Sequence, residues 1–245
     1  MRQASWEEMW KGRETPEPEK KPAWGSRLGA FTWEEIVTLV IVMIAFVTVV
    51  QSIDNADWVA EMPSLYTIAL LGLATGLGLS RLRINEAFLH VIALGVGTLG
   101  VILTATSTLN GTIPDRTREL IDRFELWATA LTSGGISNDN LPFVVLVVSA
   151  TYIMAYVSAW SLFRWYNAWI ALVPAGLALL TNISYLPGQK SFSLLIYLFC
   201  AILLVSRIHV LRRAREWKRT GTVYPDLISL HVLNVTIWVA IAQKR

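Results

Sequence analysis

Three long apolar runs, separated by short polar joints, fill Leu141 to Arg219 and end in the arginine-rich stretch Arg207-Ile-His-Val-Leu-Arg-Arg-Ala-Arg-Glu-Trp-Lys-Arg219. Apolar runs of about twenty residues match the length a helix needs to cross roughly 30 Å of hydrocarbon at about 1.5 Å per residue. A chain built this way has few solutions. In lipid every backbone polar group must find an internal partner, so only helices or closed barrels can span, and these runs lack the alternation of barrel strands. The expected fold is therefore all-α, an integral membrane helix bundle.

Composition agrees. Of 245 residues 54% are hydrophobic and 16% charged, more apolar than a soluble domain of that length. The net charge of +3 does not point to nucleic acid, because the basic residues sit beside apolar runs, where positive charge sets membrane orientation. A single cysteine excludes an internal disulfide.

Seven spans are expected, at Glu35–Ile53, Pro63–Ser80, Ala87–Ser107, Leu141–Phe163, Ala168–Leu186, Phe192–Ile208 and Asp226–Ala242. The first run is longer than a signal-peptide core and is followed by no small-residue cleavage site, so it is expected to stay. Ahead of it, residues 1–30 contain Thr15-Pro-Glu-Pro-Glu-Lys-Lys-Pro22 and read as a disordered tail. Residues 31–245 form the transmembrane helical domain.

Lysine and arginine near a span resist translocation. With these spans, one side holds the basic residues of the tail, Arg81, Arg83, Arg164 and the cluster from Arg207 to Arg219, while the other holds Arg116, Arg118, Arg123 and Lys190. The amino terminus is expected in the cytoplasm and, after an odd number of spans, the carboxyl terminus outside. The long external joint, residues 109–140, carries Leu120, Ile121, Phe124, Trp127, Ala128 and Leu131 at helical spacing, predicting an amphipathic helix on the outer membrane surface. The arm 207–223 is expected to prolong the sixth span, with Arg212 and Arg213 reaching anionic lipid headgroups.

Trp160, Arg164, Trp169-Ile-Ala-Leu-Val-Pro174-Ala-Gly176, Asn182 and Arg207-Ile-His209 occur in an order and spacing that resembles the amino-terminal membrane region of bacterial transglutaminase-like proteins. Gln51-Ser-Ile-Asp-Asn-Ala-Asp-Trp-Val59 with Met62-Pro63, and Ser137-Asn-Asp139 before Leu141-Pro-Phe143, extend the likeness over most of Ser52 to Tyr224. The resemblance implies a bacterial plasma membrane and a bundle that carries an exported cysteine-histidine-aspartate domain. No residue of that catalytic motif can be placed here. The chain is therefore expected to be no enzyme and to need no cofactor or metal.

Other signals have plainer readings. Gly95-Val-Gly97-Thr-Leu-Gly100 spells a dinucleotide loop but falls inside an expected span, where small residues let helices approach; Gly72, Gly76 and Ser80 read the same way. Cys200 is expected to be buried packing, and His90, His209 and His231 lack metal-site spacing. The acidic groups Asp54, Asp57 and Glu61, and Asp115, Glu119, Asp122 and Glu125, read as solvated outer loops. Asn182 beyond Pro174, and His231 with Asn234, need partners on neighbouring helices. Proline at 174 also bares the carbonyl of Ile170. These residues suit interhelical glue, and alternatively a substrate path. Three functions stay open: an anchor or scaffold for an exported transglutaminase-like partner or a second copy, a small transporter or channel-like subunit, and a truncated product of a longer gene.

Overall fold

The structure, a computed structural model, describes residues 32–60, 62–135, 137–185 and 192–220, without the side chains of 214, 215 and 217–220. The tail, Glu61, the Asp226–Ala242 span, His231 and Asn234 lie outside the described residues. Within them the chain is helical throughout, with no strand. The helices are α1 (Trp33–Asp54), α2 (Leu65–Ser80), α3 (Glu86–Ala105), α4 (Ile113–Ser133), α5 (Leu141–Trp160), α6 (Ala168–Tyr185) and α7 (Phe192–Thr220).

Local chemistry sets their ends. Thr32 and Glu35 form a reciprocal capping box at the start of α1, satisfying two of the amide groups that open a helix. Ser64, in extended conformation after Pro63, delays α2 to Leu65, two residues later than expected. Asn85 caps α3 by accepting from the Ala87 amide at 2.9 Å. The α5 helix ends in a wider π-type turn, Ser161–Trp165, and left-handed Tyr166 then breaks the chain before α6.

Five helices, α1, α3, α5, α6 and α7, are long and apolar enough to cross a membrane, which corrects the expected seven. Of the other two, α2 is apolar but has 16 residues, about 24 Å of helix, and the last span lies outside the described residues. The helix expected in the external joint is α4, capped by Thr112 and Asp115 and closed by left-handed Gly134.

The bundle is organised around α5, whose two faces serve two cores. Ala155, Ala159 and Leu162 pack with α1, α6 and α7, whereas Val148, Tyr152, Tyr156 and Trp160 pack with α2 and α3. Apolar side chains gain little by leaving lipid for protein, so close van der Waals approach must hold such a bundle. It does so at α2 and α5. A Cβ placed on Gly72 would meet the Tyr152 carbonyl oxygen at 2.7 Å, and one on Gly76 would meet that of Tyr156 at 2.5 Å. Gly97 on α3 admits the Tyr152 ring and Gly100 admits Leu71, so the glycine-rich spelling belongs to a packing face; only Gly95 of that motif is open.

Candidate functional site

Polar side chains gather at the two ends of the bundle. At one end lie the start of α1, the α2–α3 turn, the end of α5 and the middle of α7. Arg207 of α7, with a fully buried side chain, donates to Glu34 Oε2 at 2.5 Å, to the Glu34 carbonyl at 2.8 Å and to Thr38 Oγ1 at 2.9 Å. Its Nη1 is buried without a hydrogen-bond partner. Arg81 pairs with Glu35 one residue further along α1. Arg164 donates to the carbonyls of Ser80 and Leu82 at 3.3 and 2.9 Å, closing the carboxyl end of α2, and pairs with Glu86 at 3.1 Å. Its guanidinium also lies 5.6 Å from the Trp160 ring centre. Three arginines thus tie five elements together at this end.

At the other end Asn182 is 3% exposed and uses its amide fully across helices. Its Nδ2 donates to the Ser52 carbonyl at 2.5 Å and to Ser52 Oγ at 2.8 Å, and its Oδ1 accepts from Trp58 Nε1 at 2.7 Å. Trp58 in turn meets Tyr185 edge-on at 5.7 Å. Beside this knot is a cavity of about 380 Å³ lined by Ile53, Asp54, Asp57, Trp58, Met62 and Ser64.

Nearby, Arg123 of α4 grips Asp139 through two bonds of 2.7 and 2.6 Å, and Asp139 also accepts from the Leu141 amide at 2.9 Å. Arg123's hydrogen bonds hold the Asp139 carboxyl below its ordinary range and raise the guanidinium in return. The pair fastens α4 to the start of α5. The rest of the acidic group stays local: Asp115 caps α4 and Glu119 pairs with Arg123 at 3.4 Å.

Pro174 sits inside α6, and hydroxyls from neighbouring helices reach the carbonyls beside it. Ser158 Oγ donates to Ala171 at 3.0 Å, and the Tyr197 hydroxyl to Leu172. His90 sits on α3 with Nδ1 2.6 Å from the Tyr156 hydroxyl, a pairing that spacing did not suggest. Trp169, 65% exposed, opens α6, and its amide donates to Asn167.

Cys200 is buried at 3% exposure, while His209, nine residues further along the same helix, is exposed about 13 Å away along the axis. The two do not form a pair. Arg212 and Arg213 are exposed on α7. Among the described residues no three His, Cys, Asp or Glu side chains gather as a metal would require.

These features define an all-helical protein with several helices able to cross a membrane. No protein family, curated protein or solved structure matches the chain, and nothing among them links it to transglutaminase-like proteins.

Proposed function

We propose that the chain is a membrane anchor or scaffold, comparable to the amino-terminal bundle of transglutaminase-like membrane proteins, holding an exported partner and catalysing nothing itself. The arginine end faces the cytoplasm and the Asn182 end faces outward, following the partition of lysine and arginine.

One observation carries the proposal: among the described residues, the buried polar side chains of Asn182 and Arg207 are turned to other helices of the bundle. Asn182 is satisfied by Ser52 and Trp58, and Arg207 is directed to Glu34 and Thr38. A conduit needs polar groups turned to a solute, whereas a scaffold needs them as ties that fix helix positions. The α4 helix supports an outward platform. Leu120 is buried against the bundle while Ile113, Ile121 and Leu131 remain exposed, so its apolar stripe is shared between the protein and a membrane surface.

The test is purification of the chain with its neighbours from its own membrane, combined with reconstitution into sealed vesicles. Co-purification of an exported thiol-dependent enzyme, with no amine transfer or peptidase activity from the chain alone, is expected. Solute flux abolished by Asn182→Leu in a protein that still folds would replace the scaffold with a transporter. Turnover abolished by Cys200→Ser would make the chain an enzyme.

A further inference from the structure

Between α6 and α7 an apolar groove of about 470 Å³ opens on the outer surface of the bundle. Its volume lies in the range of about 300–1,000 Å³ usual for small-molecule sites. Leu172, Gly176 and Leu177 line one wall, and Leu198, Ala201 and Val205 line the other. Glycine at 176 lets α6 approach α7 closely beside it, since a Cβ there would already be 3.2 Å from the Tyr197 ring.

What sets this groove apart is where it leads. Along α7 the lining positions 198, 202 and 205 recur every three or four residues, and the same helix face continues through His209, Arg212 and Arg213, all exposed. Arg212 and Arg213 follow Ser206, the last lining residue, by six and seven positions, about 9–10 Å of helix. Trp169, also part of the lining, stands at the amino-terminal end of α6 with an exposed indole, the kind of ring that favours the membrane–water boundary. A path therefore runs from an apolar trough, past a boundary tryptophan, to two guanidinium groups. Glu216, one turn beyond them, has contacts of its own.

We infer that this groove binds one anionic phospholipid, an acyl chain lying along Gly176 and Ala201 and the phosphate seated on Arg212 and Arg213. The inference rests on the membrane reading of the chain. An apolar helix would fill the trough but leave the two arginines unused, and a soluble anion would use the arginines but not the trough. A phospholipid supplies both, joined by a glycerol unit at the tryptophan. The bound lipid would splint α6 to the basic arm.

The experiment uses the full chain in neutral detergent, titrated with phosphatidylglycerol or with phosphatidylcholine of the same acyl chains. Native mass spectrometry reads retained lipid, and thermal unfolding reads stabilisation. Phosphatidylglycerol is expected to be retained preferentially and to raise the melting temperature. Neutralising Arg212→Gln with Arg213→Gln should weaken retention about tenfold or more, given the strength of basic side chains near an anionic surface. Ala201→Phe, which fills the trough and leaves the arginines, should also abolish retention, while Arg83→Gln on the α2–α3 turn should not. Glycerol phosphate should not compete.

Equal retention of the two lipids by a chain that still partitions into membranes would overturn the lipid site without touching the anchor. So would retention that survives Ala201→Phe, or full competition by glycerol phosphate. A disulfide between cysteines placed at Leu177 and Val235, in a Cys200→Ala background, would put the chain's own last apolar segment in the groove and also overturn it.

Discussion

Removing either partner of the Arg207–Glu34 pair should destabilise the bundle, but by very different amounts. Arg207 is fully buried, whereas the Glu34 side chain is 34% exposed at the helix end. Glu34→Ala leaves a guanidinium in the interior with only Thr38 Oγ1 and the carbonyl of residue 34 as partners. Stranding a buried charge in this way costs about 3–5 kcal/mol. Arg207→Met strands much less. The remaining carboxylate can turn to water, Thr38 keeps the option of bonding to the Glu34 carbonyl at 2.8 Å, and the unsatisfied Nη1 donor disappears. An unsatisfied buried donor carries a penalty of about 1–3 kcal/mol, so its relief offsets most of the lost attraction and leaves a net cost of about 1 kcal/mol. Reversible unfolding of both single variants and the double variant in mixed micelles measures the difference. Glu34→Ala should be the worse by about 2 kcal/mol or more, and adding Arg207→Met should restore part of the loss. An Arg207→Met variant as unstable as Glu34→Ala would refute the burial argument.

Packing at α2 and α5 gives a second contrast: Gly76→Ala forces a methyl to 2.5 Å from a backbone oxygen and should cost about 1–3 kcal/mol, whereas Gly78→Ala, with nothing within 4 Å, should be neutral or stabilise by up to about 1 kcal/mol. Unfolding of the two variants side by side measures it. Asn182→Leu should cost about 1–2 kcal/mol, since hydrogen bonds between membrane helices average about 0.6 kcal/mol and Trp58 is exposed enough to recover water, and Trp58 emission should shift as its indole is released. The Asp139 carboxyl is held below its ordinary value, so its contribution is complete above the unfolded value near about pH 4 and is lost as pH falls through the folded value. Protease cleavage within α4 should increase over that acid range, and Asp139→Asn should be cleaved readily at neutral pH. Cys200 should resist thiol reagents until the bundle unfolds, because it is 3% exposed; rapid modification of the folded chain would place it elsewhere.

Local features were legible in the sequence and distant pairings were not. Gly72, Gly76 and Ser80 announced a packing face because spacing alone puts them on one side of a helix, and α4 was visible through its apolar period. Asn182 could be read as needing a partner, but nothing local names Ser52 or Trp58, which lie more than a hundred residues away. The same holds for Arg207 with Glu34 and Arg164 with Glu86, where charges that spacing assigned to membrane orientation turn out to join helices. The α2 helix is two residues shorter than expected because apolar composition does not reveal that Pro63 and Ser64 hold the first residues out of the helix. Tyr152, Tyr156 and Trp160 share a face at every fourth residue, a stripe that could have flagged the surface meeting α3 and His90.

The bundle's placement across a membrane is tested most directly by sidedness. Ile84 is exposed on the turn between α2 and α3 at the arginine end, and Gly135 is exposed between α4 and α5 at the Asn182 end. Cysteines placed singly at these two positions in a Cys200→Ala background should react with a membrane-impermeant thiol reagent from opposite sides of sealed vesicles, Ile84→Cys from the cytoplasmic face and Gly135→Cys from the outer face. Reaction of both from the same side would mean that α3, the helix expected to cross between them, does not cross the membrane, and the anchor proposed here would fall with it.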